Sequence, residues 1–254
     1  MGEMGWRKRM KEEFDIKKLF RKENVLDKGH VELIDGMITH PMLKVVNSAR
    51  VSFLKEAKEL TERDAKLIKF LIDHEHFSTL RHSYFSFRIK APLCVFRQWW
   101  KYQIGSQWLE NENVGSIEIQ DTSWNEASGR YVEFEPEFYV PEVIRIQSKD
   151  NKQGSHGKLE ALESGVDPVD FFRNVCDFQY QNYKAIVVAG GAKEQARMLL
   201  PQNIYSECIW TCSLQTILFF LHQRLKEDAQ WEIREYAKAL KNLIQPILID
   251  DIIK

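Results

Sequence analysis

Ser128-Gly129-Arg130 is the tripeptide in this chain best suited to hold an oxyanion. The serine supplies a hydroxyl, the glycine lets its backbone N–H come close, and the arginine offers a planar fork of donors. Upstream, Arg97-Gln98-Trp99-Trp100 adds an amide and an aromatic wall. Together these residues describe a pocket for something anionic and partly flat. Two more arginines stand out. Arg197 is set among Ala196, Met198, Leu199 and Leu200, and Arg224 follows the apolar run at 217–221. An arginine beside so much apolar surface needs a partner. The ordinary answer is a snorkelling side chain or a structural ion pair. The sharper one is that both share an anion pocket with Arg130.

The elements that must position these residues can be read from periodicity. Positions 31–38 and 83–89 read as strands; in the second, Phe85, Phe87 and Ile89 alternate with Ser86, Arg88 and Lys90. Positions 61–73 read as a helix. The polar run at 148–157, with two glycines and no periodicity, reads as a mobile excursion. Asp167-Pro168 starts a helix and Gly190-Gly191 stops it. Further helices are expected near 192–200, 213–225 and 228–243. The class expected is α+β, a mixed sheet packed with helices and a helical C-terminal half. Residues 1–23 form an extension in which Trp6, Met10 and Phe14 suggest a short amphipathic helix. Residues 24–254 form one domain carrying an insertion near 107–123.

Composition narrows the function classes. A net charge of −1 over 254 residues argues against bulk binding of polymeric nucleic acid or a membrane surface. Cys94, Cys176, Cys208 and Cys212 lie in apolar runs without zinc-type pairing. Cys208 and Cys212, one helical turn apart, read as two buried small hydrophobes. A reduced, cytoplasmic setting is expected. Residues 1–22 lack the apolar core of a secretion signal. His74, His76 and His82 have no carboxylate or cysteine ligands at metal-site spacing, so no metal is expected. Cys94 sits in Pro92-Leu93-Cys94-Val95-Phe96, where packing rather than nucleophilic attack is the default.

Taken together, these motifs resemble the flavin-dependent thymidylate synthases, the ThyX family, over positions 25–249. The series comprises Leu26-Asp27-Lys28-Gly29, Ala49-Arg50-Val51-Ser52-Phe53, His74-Glu75-His76, Ala91-Pro92, Arg97-Gln98-Trp99 and Asn125-Glu126-Ala127-Ser128-Gly129-Arg130-Tyr131. It continues through Ala196-Arg197, Leu200-Pro201, Asn203, Tyr205, Trp210-Thr211, Arg224 and Ala229-Gln230-Trp231-Glu232. The resemblance implies a ThyX-like fold and a homotetramer with active sites at subunit interfaces. It implies transfer of a methylene group from methylenetetrahydrofolate to C5 of dUMP, with reduction by FAD hydride and replenishment by NADPH. It implies nucleotide binding by Gln98, Glu126, Ser128, Gly129, Arg130 and Arg197, with Arg224 facing the pyrimidine ring. Gln223, where relatives commonly carry an apolar residue, could hydrogen-bond the C4 substituent of the base and admit dCMP.

The flavin half departs from the family pattern of Arg-His-Arg, seven residues, then Ser. Lys101-Tyr102-Gln103 replaces Arg-His-Arg, and the interval before Ser128 is longer by the segment at 107–123. Ser213, Gln215 and Phe219 stand where relatives offer Asn, Arg and Asn; Ser78 replaces a threonine, and His76 is kept. Each charge-assisted hydrogen bond lost is worth about 1.5–3 kcal/mol, so several losses without replacement would weaken FAD binding by orders of magnitude. Trp108 in the insertion offers a ring for stacking, while Glu110, Glu112, Glu118 and Asp121 suit a solvated loop. Three readings stay open: methylation of dUMP as the nominal outcome, 5-hydroxymethylation of dCMP or dUMP by water trapping of the methylene intermediate, and a non-catalytic nucleotide-binding homologue.

Overall fold

A computed structural model describes residues 19–102, 109–111, 115–117, 122–249 and 252. Gln103 and Trp108, the acidic residues 112, 118 and 121, and the expected helix over Trp6, Met10 and Phe14 lie outside the described residues. Strands β1 (Lys22–Val25) and β2 (Gly29–Gly36) form a tight hairpin. Helices α1 (Pro41–Arg50) and α2 (Glu62–Asp73) follow, then a 3₁₀ segment at Phe77–His82 and strand β3 (Tyr84–Pro92). Helix α3 (Leu93–Trp99) leaves β3 directly. Short strands β4 (Leu109–Asn111) and β5 (Gly115–Ile117) pair with each other, and β6 (Thr122–Glu126) enters the main sheet. Strands β7 (Ile146–Gln147) and β8 (Ser155–His156) precede helices α4 (Pro168–Val188) and α5 (Lys193–Ala196). Strand β9 (Tyr205–Ser213) and helices α6 (Leu214–Arg224) and α7 (Trp231–Ile244) complete the order.

The main sheet runs β1-β2-β3-β9-β6. The α+β class is borne out, but every ladder among the described residues is antiparallel where a mixed sheet was expected. No βαβ crossover links neighbouring strands, so nothing brings two of them alongside in the same direction. Strand β3 follows its period-two pattern: Phe85, Phe87, Ile89 and Ala91 are fully buried. Cys208 and Cys212 are buried as expected, but on β9 rather than a helix. A spacing of four returns to the same face in either element.

The helix starts follow local chemistry. Asp167 accepts hydrogen bonds from the N–H groups of Val169 at 2.8 Å and Asp170 at 3.1 Å, and Pro168 occupies the first turn. Thr61 and Asp64 form a capping box on α2, and Arg50 pairs with the buried Asp64. The run at 148–157 is a hydrogen-bonded hairpin rather than an unstructured excursion. Gln147 Nε2 donates to the carbonyls of Gly154 at 2.9 Å and Lys152 at 3.1 Å, and Arg145 Nε donates to Ser155 Oγ at 3.0 Å. Polar side chains close this turn, so apolar periodicity could not reveal it.

An aromatic cluster binds the elements that carry the site. Trp99, at the end of α3, is fully buried and stacks on Phe220 of α6 at 4.5 Å. It also meets Trp210 of β9 at 5.6 Å and Tyr236 of α7 at 5.9 Å. Rings of this size dominate core energetics, and truncating one costs about 3–5 kcal/mol. Gln98, Arg224 and Gln230 therefore project from elements locked to one another.

Candidate active site

The anion-binding residues gather first around a tight turn. Arg130 N–H donates to Ser128 Oγ at 3.3 Å, which folds the tripeptide back on itself. Gly129 is buried against Phe134 and Arg197. A Cβ there would lie 2.7 Å from Phe134 Cε2 and 3.2 Å from Arg197 Cδ. Arg130 Nε lies 3.6 Å from Glu194 Oε2, and Arg197 Nε donates to the Glu194 carbonyl at 3.3 Å. Two guanidiniums thus converge on one residue, one at its carboxylate and one at its backbone carbonyl, both exposed. Glu194 carries no signal in the sequence beyond its place just before Arg197.

Glu126 ends β6 just before this turn. Most of the residue is exposed, yet packing around the carboxyl pushes its pKa up. The Trp124 indole N–H at 3.4 Å and the Ser206 hydroxyl pull in the opposite direction.

A second group lines a cavity of about 410 Å³: Lys101, Tyr102, Gln153, Gln223, Arg224 and Asp228 face it, with the exposed ring of Phe219. Arg224 lies over the Tyr102 ring, 5.2 Å from its centre, and its buried Nε has no hydrogen-bond partner among the described residues. Burial raises the Tyr102 pKa, while the Arg224 charge and hydrogen bond lower it. Gln223 Oε1 accepts from Lys226 Nζ at 3.1 Å, and its amide N–H groups have no partner among the described residues. Gln153 comes from the hairpin between β7 and β8, and nothing in its sequence context points to a role.

Gln98 is half-buried on α3, and its Nε2 donates to Gln230 Oε1 at 2.5 Å. Of the three arginines expected to share an anion pocket, Arg130 and Arg197 meet at Glu194, while Arg224 lies over Tyr102. No hydrogen bond, ion pair or ring contact among the described residues joins the Glu194 site to Gln98, Gln223 or Arg224.

The positions assigned to the flavin divide in two. Tyr102 is buried beneath Arg224, and Ser213 is fully buried as the N-cap of α6, accepting from Thr216 N–H at 3.3 Å. His76, Ser78 and Lys101 remain exposed, and Gln215 is half-buried with its Oε1 unpaired among the described residues. Helix α6 packs on the Phe77–His82 segment, and Leu214 N–H donates to the Ser83 carbonyl at 2.8 Å. Gln215, Phe219 and Gln223 recur every four residues along α6, on one face. An imidazole, a hydroxyl, an ammonium, an unsatisfied amide and an open ring suit the diphosphate and ring system of a flavin nucleotide. The residues present fit that group with one cation, Lys101, where the family pattern has three arginines.

Comparison with known proteins meets this geometry. The family described as "Thymidylate synthase complementing protein" matches residues 32–248. A flavin-dependent thymidylate synthase of Thermus thermophilus is 39% identical over 221 residues, covering 87% of this chain and 73% of that protein. One from Thermotoga neapolitana is 35% identical over 221 residues, covering 87% and 88%. Among solved structures, the UMP/dUMP methylase PolB from Streptomyces cacaoi, bound with 5-Br dUMP, has a TM-score of 0.67 at 24% identity. The match covers 87% of this chain and 91% of that one; at that identity it speaks to the fold. Matched along most of its length and carrying the motif series in order, the chain belongs to the flavin-dependent thymidylate synthase (ThyX) family.

Proposed function

We propose that this enzyme transfers a one-carbon unit from methylenetetrahydrofolate to C5 of a deoxypyrimidine monophosphate, with methylation of dUMP to dTMP as its nominal outcome. The observation that carries this reading is the convergence of Arg130 and Arg197 beside Ser128-Gly129. The Arg130–Glu194 pair is exposed and long at 3.6 Å. Such a pair is worth little, so a nucleotide phosphate displaces the carboxylate readily. Ser128 and the two guanidiniums then hold the phosphate, and Glu126 and Gln98 complete the nucleotide contacts.

Arg224 faces the pyrimidine. A guanidinium fixed on an aromatic ring stabilises negative charge on the base without reorganising when that charge appears. Gln223 presents N–H donors because Lys226 occupies its oxygen. That polarity favours the C4 carbonyl of uracil over the C4 amino group of cytosine.

When bound, the flavin supplies the hydride that reduces the transferred carbon, and NADPH is the proposed reductant that restores it. His76, Ser78, Lys101 and Gln215 would hold it, with Gln103 and Ser213 at neighbouring motif positions. In a single chain the Arg130 and Arg224 groups do not meet among the described residues. This supports a site completed by a second copy within a homotetramer.

A hydroxymethyl product is the second reading, favoured by the burial of Tyr102 at a position that relatives devote to the flavin. One experiment separates the readings. The protein is incubated with methylenetetrahydrofolate, FAD, NADPH and either dUMP or dCMP, and products are weighed by mass spectrometry. A methyl increment on dUMP supports methylation, and a hydroxymethyl increment supports the second reading. Conversion of dCMP in preference to dUMP would refute the role given to Gln223. Nucleotide binding without conversion would refute both reactions and leave a non-catalytic homologue.

A further inference from the structure

The motif Ala229-Gln230-Trp231-Glu232 has no task in the function proposed above, yet it stands directly behind Gln98. Gln98 Nε2 donates to Gln230 Oε1 at 2.5 Å, and Gln230 Nε2 donates to Glu232 Oε2 at 2.8 Å. Glu232 is 4% exposed. It also accepts from Arg145 Nη2, at 3.0 Å and 3.4 Å to its two oxygens, and from Tyr139 Oη–H at 3.3 Å.

The polarity of this chain of contacts is not free. A guanidinium has donors only. The Tyr139 phenol keeps its proton, because burial first and the Glu232 charge second push its pKa far up. An ionised carboxylate has acceptors only. Glu232 must therefore take the NH₂ end of Gln230, which turns the Gln230 oxygen toward Gln98. Gln98 must answer with its own NH₂, so its oxygen faces away from the chain. An isolated glutamine amide can turn over at little cost; these two cannot without placing two acceptors or two donors face to face.

We propose that Gln230 and Glu232 are positioning residues that fix the amide of Gln98 with its carbonyl oxygen outward, so that Gln98 recognises a hydrogen-bond donor on the bound nucleotide. The donor is an O–H or N–H, either the sugar 3′-hydroxyl or the ring N3–H. This rests on Gln98 being a nucleotide contact, as in the function proposed above. Arg145 and Tyr139 hold the far end of the relay, and Arg145 also ties it to the hairpin whose Gln153 lines the Arg224 cavity.

The test is a double-mutant cycle read by dUMP affinity in calorimetry on the full chain, using Gln98→Ala, Gln230→Ala and the pair. Gln230 is exposed at the start of α7, so its variant keeps the fold, and a thermal midpoint checks this. Gln230→Ala is expected to weaken dUMP binding about tenfold alone, and less than twofold when Gln98 is already alanine, since one charge-assisted relay is lost only once. Additive effects would overturn the proposal, because a merely structural Gln230 acts whether or not Gln98 is present. Two analogues then find the donor: dUMP lacking the 3′-hydroxyl and dUMP methylated at N3. Gln98→Ala should cost nothing with the analogue that lacks the donor; an undiminished penalty with both overturns the outward-oxygen assignment. Arg130→Ala serves as the control for the site. If it leaves dUMP affinity unchanged, the nucleotide reading fails and the relay falls with it; if it weakens binding while the cycle is additive, the relay alone fails.

Discussion

Arg224 reaches over Tyr102, its guanidinium carbon 5.2 Å from the ring centre, and that ring stands edge-on to Phe220 at 5.1 Å. Phe220 in turn stacks on Trp99 in the core. The arginine proposed to face the pyrimidine is thus referenced to the rigid centre of the molecule through two rings.

Tyr102→Phe keeps the ring and loses only the hydroxyl contact, so turnover with dUMP should fall by less than tenfold. Tyr102→Ala removes the platform. It should destabilise the fold by about 3 kcal/mol and reduce turnover about a hundredfold. Equal turnover in the two variants would show that the platform does not hold Arg224 for catalysis. Arg224→Ala should abolish turnover altogether, and retained activity would sink its assigned role.

Gly129 has no room for a side chain. Gly129→Ala places a carbon against the Phe134 ring and the Arg197 stem, and backbone or ring must move. Overpacking of this kind costs about 1–3 kcal/mol. We expect a lower thermal midpoint and dUMP affinity weakened at least tenfold, because Arg197 is displaced. Calorimetry with unchanged affinity would contradict the arrangement.

Glu126 gives a pH dependence with a definite sign. Its folded-state pKa is raised above the ordinary value near 4.5, so the folded protein binds this proton more tightly than the unfolded chain does. Stability from this group is therefore greatest below the ordinary value and is lost as pH rises through the raised one. Glu126→Gln should be more stable than the parent at pH 7.5 and no more stable at pH 3.5, by urea unfolding. The opposite ordering at neutral pH would show that the carboxylate is favourably held.

Arg145 is the ion-pair partner of buried Glu232, and its own side chain is 32% exposed. Arg145→Ala leaves a carboxylate buried with only hydroxyl and amide donors. Breaking a buried pair costs about 3–5 kcal/mol, and partial exposure of the arginine places this one near the lower end. Chemical denaturation should register the loss, and Arg145→Lys should recover part of it. A neutral Arg145→Ala would mean that the pair contributes nothing.

Much of this was legible along the chain, for reasons that differ by element. Strand β3 announced itself because its buried residues alternate, and α4 because proline and glycines bracket it. Which strands pair could not be read, since β3 and β9 are brought together by contacts remote in sequence. Arg130 and Arg197 were legible as candidate anion ligands, and the structure brings both to Glu194. The inward turn of Tyr102 was not, because its motif position points to a cofactor while its burial is set by Phe219 and Phe220 on a distant helix. Arg145 carried no local signal at all. Its importance comes from a carboxylate 87 positions away.

The placement of β6 at the rim of the sheet has a consequence for how this chain can vary. A rim strand has one neighbour, here β9, so chain length added just before it disturbs no ladder further in. Thr122 and Ser123, at the end of the insertion near 107–123, open this rim strand, which leads into the turn that carries Ser128. This connection can change in length while the buried rings beneath Arg224 stay as they are. The rim is where this scaffold can change its chemistry at least risk to its folding.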